Sequence, residues 1–213
     1  MHKTLSSSIT AVIAAGGYAT RLGGGLPKSL WKVASRSLLE HSAAAVAQAG
    51  INSFVVFNNR PEFNTTIRMA VEPYGALNLI NDQGVASTFL LAKQTALITH
   101  HQYICFMYGH APRPGLHLLK LIEMVQKTVV VTAVESTTKR FPIPLQLGYL
   151  EPPYIIPTIM LRETYCIDWK AFFTEPVFNL TIVKALGPGE ANSLPEIISY
   201  ANYFNKFSRL CTV

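Results

Sequence analysis

Two continuous apolar runs most constrain what this chain can fold into. ITAVIA at 9–14 and YICFMY at 103–108 contain no charged residue, and glycines follow them at 16–17 and at 109. Strands that are covered on both faces read as unbroken apolar runs, which is typical of a parallel sheet between layers of helices. The two runs therefore predict buried strands of an α/β protein.

Helical patterns alternate with these and with weaker strand-like runs. Ser37 and Glu40 are spaced as a capping box at a helix start, and Gly50 is placed to end that helix. Further strands are predicted at 51–57, 77–80, 129–134 and 178–185, and further helices at 61–71, 85–98, 116–125 and 193–207. This alternation predicts a three-layer, Rossmann-like α/β fold, with a mixed, mostly parallel sheet and helices on both faces.

The segment from 136 to 177 differs from the rest because prolines interrupt it. Five of them stand at positions 142, 144, 152, 153 and 157. Since proline cannot donate a ladder hydrogen bond, we expect a small β-rich lobe or flap here, inserted before the sheet resumes. We expect one domain over 1–213, because 213 residues are enough for one large core.

The charge of the chain favours anionic partners of low molecular weight. Its net charge is +6, but the 18 lysines and arginines are scattered, and no run exceeds Lys139-Arg140. This pattern argues against a nucleic-acid surface and favours phosphorylated small molecules. We also expect no membrane span, because no apolar stretch reaches about 18 residues, and we expect a cytoplasmic protein. The oligomeric state stays open.

The cysteines and one acidic residue have simple interpretations. Cys105, Cys166 and Cys211 are far apart and form no CxxC pair, which predicts reduced, buried thiols rather than a disulfide framework or zinc site. Asp168 is expected to cap a short helix, with a carboxylate that compensates at a ligand site as the alternative, and His117 is expected to lie on the surface of the helix at 116–125.

The stretch AAGGYATRLGGGLPKSL at 14–30 follows the first strand and holds five glycines, one arginine and one lysine. A glycine-rich loop at the carboxyl end of a strand lets backbone N–H groups approach phosphate oxygens closely. A mobile turn is the alternative, since glycine pairs are common in loops. The spacings GxxxxGK[ST] and GxGxxG are both absent, so neither a P-loop nor a dinucleotide fingerprint is present.

AAGGYATRL, LPKSL and the later VASRSLLEH together resemble the signature of the nucleotidyltransferases of the GT-A-like fold, among them sugar-1-phosphate nucleotidylyltransferases and MobA-like NTP transferases. The matching positions are Gly16, Gly17, Thr20, Arg21, Pro27, Lys28, Leu38, Leu39 and His41. Weaker matches follow in the same order: QGVAS at 83–87, FMYGHAP at 106–112 and EANSLPEIISYANYF at 190–204. The resemblance covers about 8–135 and 190–205, and 136–185 matches nothing.

The resemblance implies transfer of an NMP group from an NTP to a small phosphorylated acceptor, such as a sugar 1-phosphate, with release of pyrophosphate. The catalytic side chains would be Arg21, on the β and γ phosphates, and Lys28, at the α-phosphate. The residues implied to bind the nucleotide are Ala15, Gly16, Gly17, Thr20, Arg21, Gln83, Gly84 and Ser87.

The resemblance also implies a divalent metal, Mg²⁺ or Mn²⁺, and here the sequence departs from the family. His110 stands where the family has a metal-binding aspartate, and Asn192 fits a second metal position or caps the last helix. Because Mg²⁺ prefers oxygen ligands, three interpretations stay open. His110 ligates a softer ion, or phosphates and a neighbour hold the metal, or turnover is impaired in a nucleotide-binding family member. A phosphate-dependent binding protein without NTP chemistry is a further alternative.

The acceptor would sit in the unmatched segment. Tyr149, Tyr154 and Arg162 are the side chains that could line an acceptor pocket there.

Overall fold

The computed structural model describes residues 5–17, 25–80, 87–113, 115–127, 131–136, 149–174, 180–183, 198–199 and 201–204. The strands are β1 (Ile9–Ala14), β2 (Lys32–Val33), β3 (Arg36–Ser37), β4 (Ser53–Asn58), β5 (Leu77–Ile80), β6 (Tyr103–Tyr108), β7 (Val131–Ser136), β8 (Tyr149–Pro157) and β9 (Leu180–Val183). The α-helices are α1 (Leu38–Gln48), α2 (Asn64–Val71), α3 (Thr88–Ile98), α4 (Gly115–Lys127), α5 (Thr158–Glu163) and α6 (Trp169–Thr174).

Seven of these strands form one sheet in the order β5-β4-β1-β6-β8-β7-β9, and β2 and β3 form a separate small hairpin. Strands β5, β4, β1 and β6 are mutually parallel, and so are β7 and β9, whereas β8 is antiparallel to both of its neighbours. The predicted fold class, a mixed and mostly parallel sheet in an α/β fold, is therefore confirmed.

The predicted start of the first helix is confirmed in detail. The Ser37 hydroxyl accepts a hydrogen bond from the Glu40 N–H, and the Ser37 N–H donates to the Glu40 carboxylate. Such a box satisfies two backbone donors that a helix start leaves open. Gly50 follows the helix with a φ of +74°, a conformation that glycine adopts without strain. No described helix is long and apolar enough to cross a membrane.

Two apolar clusters cover the two faces of the sheet. On one face, α1, α2 and α4 contribute Leu39, Val46, Ile67, Leu118 and Leu121, all fully or almost fully buried. On the other face, α3, α5 and α6 contribute Phe89, Leu161, Trp169 and Phe172. The layered arrangement follows from this, because each sheet face needs an apolar cover. Cys105 lies in the first cluster as a buried thiol, and burial raises its pKa to about 12.

Strand β8 is the main difference from the sequence-based expectation. It comes from the proline-interrupted segment, yet it lies inside the main sheet, between β6 and β7, and not in a separate lobe. The pairing of β7 with β8 shifts in register: Val134 lies opposite Glu151, but Thr132 lies opposite Ile155. The two prolines at 152–153 fall within this shift, where the ladder is interrupted and missing N–H donors cost least.

His117 is a second difference, since the prediction of a surface position is wrong. Its side chain is 0% exposed, and neither ring nitrogen has a hydrogen-bond partner among the residues that the structure describes. Burial, and then the nearby charges of Arg113 and Lys120, lower its pKa from 6.5 to about 4. The imidazole is therefore neutral in the folded protein at neutral pH.

This burial predicts a pH-dependent loss of stability. A histidine whose pKa is lowered by folding takes up its proton more readily when unfolded, so stability is complete above pH 6.5 and falls as pH drops towards 4. Between pH 7 and pH 4.5 the loss from His117 is about 2 kcal/mol. Chemical denaturation at both pH values should show that His117→Leu loses less stability on acidification than the wild type. Equal losses in the two proteins would contradict this prediction.

Candidate functional site

The carboxyl ends of three parallel strands meet at one edge of the sheet. Ala14 of β1 lies in register between Phe57 of β4 and Tyr108 of β6. Beyond the strands, the Ala15 N–H donates to the Phe57 carbonyl at 2.8 Å, and the Gly109 N–H donates to the Ala14 carbonyl at 2.9 Å. The glycine-rich loop thus begins between the ends of the two neighbouring strands, where ligands collect in open α/β sheets.

The segment that carries Lys28 is attached directly to this loop. Residues Lys28–Leu30 form one turn of 3₁₀ helix. The buried Ser29 hydroxyl donates to the Ala15 carbonyl at 2.7 Å, and the Lys28 N–H donates to the Gly17 carbonyl at 3.4 Å. The predicted pair of a glycine loop and a lysine is therefore brought together by hydrogen bonds at both ends of the Ala15–Gly17 stretch.

Asn59 is a site residue that sequence reasoning missed. A Cβ atom added at Gly16 would overlap Asn59 Oδ1 and lie 2.7 Å from its Cγ and 2.8 Å from its backbone nitrogen. The Gly16 backbone can thus approach the turn after β4 only because it lacks a side chain. Asn58 fixes that turn, since its Oδ1 accepts from the Arg60 N–H at 3.0 Å and its Nδ2 donates to the Arg60 carbonyl at 2.9 Å. The sequence signal was a pair of asparagines directly after a strand.

Gly109 brings the turn after β6 close to Ser29 and to the end of β1. An added Cβ would lie 3.1 Å from Leu39 Cδ1, 3.3 Å from Ser29 Cβ and 3.4 Å from the Ala14 carbonyl. The first two distances are tighter than ordinary van der Waals contact. Gly109 therefore lets the next residue, His110, follow immediately beside the segment that holds Lys28.

His110 is half-buried, and its ring stacks on Tyr108 with 5.3 Å between centroids and 27° between planes. The position expected for a metal-binding side chain is thus occupied by an imidazole, at the edge of the sheet where β1, β4 and β6 end. Among the described residues, no group of three or more histidine, cysteine or acidic side chains could hold a metal ion.

The segment after His110 is anchored by a buried ion pair. Arg113 Nη2 donates to Glu151 Oε2 at 3.0 Å, and the two side chains are 1% and 6% exposed. Removing one partner would leave a buried charge, which is strongly destabilising. The pair fixes the path of the chain from β6 into α4 against the start of β8.

Ser87 lies at the start of α3, where its hydroxyl accepts a hydrogen bond from the Phe89 N–H at 3.3 Å. The hydroxyl keeps its own hydrogen, so the cap leaves it able to donate to a ligand. The remaining predicted site residues lie outside the described residues: Thr20, Arg21, Gln83, Gly84 and Asn192.

The structure does not place Tyr154 or Arg162 in an acceptor pocket. Tyr154 is 4% exposed and packs in the apolar core between Phe106 and Trp169. Arg162 donates from Nε to the Ala96 carbonyl and from Nη2 to the Thr99 carbonyl, both at 2.7 Å. It therefore caps the C-terminal end of α3. Tyr149 belongs to β8, and Asp168 accepts from the N–H of a residue in α6 as the sequence predicts.

Comparison with known proteins agrees with this geometry. Residues 11–163 match the family model described as the MobA-like NTP transferase domain. No curated protein matches the chain in sequence.

Solved structures share the fold at low sequence identity. A nucleotidyl transferase from Methanothermobacter thermautotroptrophicus is 17% identical with a TM-score of 0.75, over 93% of this chain and 98% of that one. The 4-diphosphocytidyl-2C-methyl-D-erythritol synthase from Anaerococcus prevotii is 16% identical with a TM-score of 0.67, over 94% and 99%. A manganese complex of the Mycobacterium tuberculosis protein Rv0371c is 16% identical with a TM-score of 0.64, over 91% and 98%.

The matched residues 11–163 make up more than half of the chain. The chain therefore belongs to the MobA-like NTP transferase family and is a nucleotidyltransferase.

Proposed function

We propose that the protein transfers an NMP group from an NTP to a small phosphorylated acceptor and releases pyrophosphate. The observation that carries the proposal is the attachment of Lys28 to the Ala15–Gly17 loop, through the Ser29 hydroxyl at 2.7 Å and the Lys28 N–H at 3.4 Å. A backbone loop able to cradle phosphates and a cation held on it are what this reaction needs from a protein.

The chemistry explains why cations matter more than a general base. A phosphate oxygen of the acceptor attacks the α-phosphorus, and the bond from that phosphorus to the bridging oxygen of pyrophosphate breaks. Both reactants are anionic, so the barrier is lowered by fixed positive charge at the α-phosphate and at the leaving group. Lys28 is proposed for the first role and Arg21 for the second.

The nucleotide is proposed to lie along the strand ends. The triphosphate contacts the backbone of Ala15, Gly16 and Gly17, together with Thr20 and Arg21. The base and ribose contact Gln83, Gly84 and Ser87, whose hydroxyl can still donate from the start of α3. The acceptor is proposed to bind on the 136–177 side of the site, and the net charge of +6 supports a phosphorylated one.

A metal would be held by His110 and Asn192 under this proposal. Position 110 offers one imidazole, and the described residues hold no group of three or more histidine, cysteine or acidic side chains that could bind a metal ion. Imidazole suits Mn²⁺, Co²⁺ or Zn²⁺ better than Mg²⁺, so these residues fit a softer ion and do not fit magnesium. Manganese is present in the structure of one distant relative. Such an ion would neutralise phosphate charge.

A second candidate is a family member that binds nucleotide with impaired turnover, which the histidine at position 110 favours. Pyrophosphate release, measured with the four common NTPs and a panel of sugar phosphates, separates the two candidates. Release with at least one pair supports the transferase. Nucleotide-induced thermal stabilisation without release in any pair would favour the second candidate.

Gly16 provides a test of the loop with a matched control. Gly16→Ala should weaken NTP binding by about tenfold or more, because its methyl group meets Asn59 and displaces the loop backbone. Gly17→Ala should change binding much less, since none of the residues that the structure describes lies within 4 Å of an added Cβ there. Isothermal titration with the best NTP measures both. Equal losses in the two variants would show that the contact with Asn59 does not set the loop.

Lys28 provides a test of the catalytic assignment. Lys28→Ala should lower kcat by roughly a hundredfold or more with little change in melting temperature, since one preorganised charge in such a site contributes a few kcal/mol. Lys32→Ala is the control, because Lys32 is exposed on β2. Arg21→Ala should instead raise the NTP KM more than it lowers kcat. A Lys28→Ala enzyme with wild-type kcat would refute the role given to this lysine.

His110 provides a test of the metal assignment. If its imidazole ligates the ion, the wild type should be faster with Mn²⁺ or Co²⁺ than with Mg²⁺, and His110→Asp should shift the preference towards Mg²⁺. Steady-state rates with each metal, for both proteins, measure this. A wild type that prefers Mg²⁺ together with an inactive His110→Asp would identify His110 as a substrate contact instead.

A further inference from the structure

The last described helical residues are 198–199 and 201–204, and two of them, Ala201 and Phe204, pack against the segment that follows Lys28. The ring of Phe204 stacks on the imidazole of His41, with 4.0 Å between centroids and 13° between planes. Ala201 and Phe204 also cover a small apolar cluster made of Val33, Leu38 and Trp31. This cluster is separate from the two that cover the main sheet.

The covered segment is the one that leads away from Lys28. The Trp31 N–H donates to the Lys28 carbonyl at 3.2 Å, and the Leu38 N–H donates to the Trp31 carbonyl at 2.9 Å. His41 Nε2 lies 2.8 Å from the Val33 carbonyl, so the stacked ring also bonds to this segment. Burial lowers the pKa of His41. Phe204 is thus connected to Lys28 through the apolar cluster and the two backbone hydrogen bonds of Trp31.

The segment is poorly able to hold its own shape. Its hairpin pairs only two residues from each strand, β2 and β3. The two turn residues, Ala34 and Ser35, both have positive φ, at 49° and 66°. Two-residue turns of this kind favour Asn-Gly, and a non-glycine residue with positive φ is strained by about 1 kcal/mol or more. A two-stranded hairpin is marginal on its own, so this one needs support from a neighbour.

The charge of Arg113 acts on the same helical residues. Burial raises the pKa of Tyr203, and the charge of Arg113 acts on it in the opposite direction. Arg113 belongs to the anchored segment that follows His110.

We propose that Phe204 is a positioning residue: its stack on His41 holds the strained hairpin and, through it, the turn that presents Lys28 to the nucleotide. The effect on turnover rests on the proposed function, because it requires the role given to Lys28. The effect on the local stability of residues 28–38 does not rest on the proposed function.

Hydrogen exchange and steady-state kinetics test the proposal together. Phe204→Ala should speed exchange of the Trp31 and Leu38 amides by about tenfold or more, since their local opening no longer breaks the stack. Its kcat should fall by about tenfold, with an NTP KM within about threefold of the wild type. A misplaced Lys28 charge stabilises the transition state less, whereas binding of the substrate in the ground state depends on it less strongly. Exchange in β1 and β6 should not change.

Three further variants separate positioning from general damage. Phe204→Tyr keeps the ring and should behave as the wild type, and Asn202→Ala, an exposed change in the same stretch, should do the same. Replacing Ala34-Ser35 by Asn-Gly removes the strain of the positive φ values, because Asn and Gly adopt them readily in such a turn. In the Phe204→Ala background it should restore slow exchange at Trp31 and most of the lost kcat.

Two results would overturn the proposal: unchanged exchange over 28–38 in Phe204→Ala, or faster exchange there with wild-type kcat. A wild type without pyrophosphate release for any substrate would refute the proposed function alone. The exchange measurements and the hairpin rescue use no substrate, so in that case they still decide whether the Phe204 stack holds the hairpin.

Discussion

The parallel pairing of β1 with β6 is the constraint on which the rest of the site depends. It places Ala14 opposite Tyr108, so the chain leaves both strands at the same height and Gly109 can bond to the Ala14 carbonyl at 2.9 Å. A register shifted by one residue would turn every side chain of one strand to the opposite face. The buried clusters on both faces prevent this shift, and they therefore also fix the distance between the glycine loop and the turn that carries His110.

Close backbone approach is the second feature of the site. Gly16 meets the turn after β4 at distances that exclude a side chain, and Gly109 meets Leu39 and Ser29 at distances that leave little room for one. The hydroxyl of Ser29 then links the turn that carries Lys28 to the glycine-rich loop, because it donates to the Ala15 carbonyl. Preorganisation of this kind lowers the cost of ordering the loop when an anion binds. It also explains why the loop can act through backbone groups, which side-chain identity does not reveal.

The sequence predicted what depends on local pattern and missed what depends on packing between distant segments. The apolar runs gave β1 and β6 with their observed bounds, and the Ser37–Glu40 box gave the start of α1. Periodicity could not show that the polar His117 would be buried, because its neighbours in space come from elsewhere in the chain. Prolines at 152–153 argued against a central strand, yet a register shift accommodates them in β8.

The contact between Gly16 and Asn59 has a consequence for how this site can change over evolutionary time. The two positions share one small space, so the effect of a substitution at one of them depends on which residue occupies the other. A smaller residue at position 59 would remove the overlap with the side chain, but the backbone nitrogen of residue 59 would still lie 2.8 Å from an added Cβ. A side chain at position 16 therefore requires two changes together: a smaller residue at position 59 and a shift of the backbone in the turn after β4.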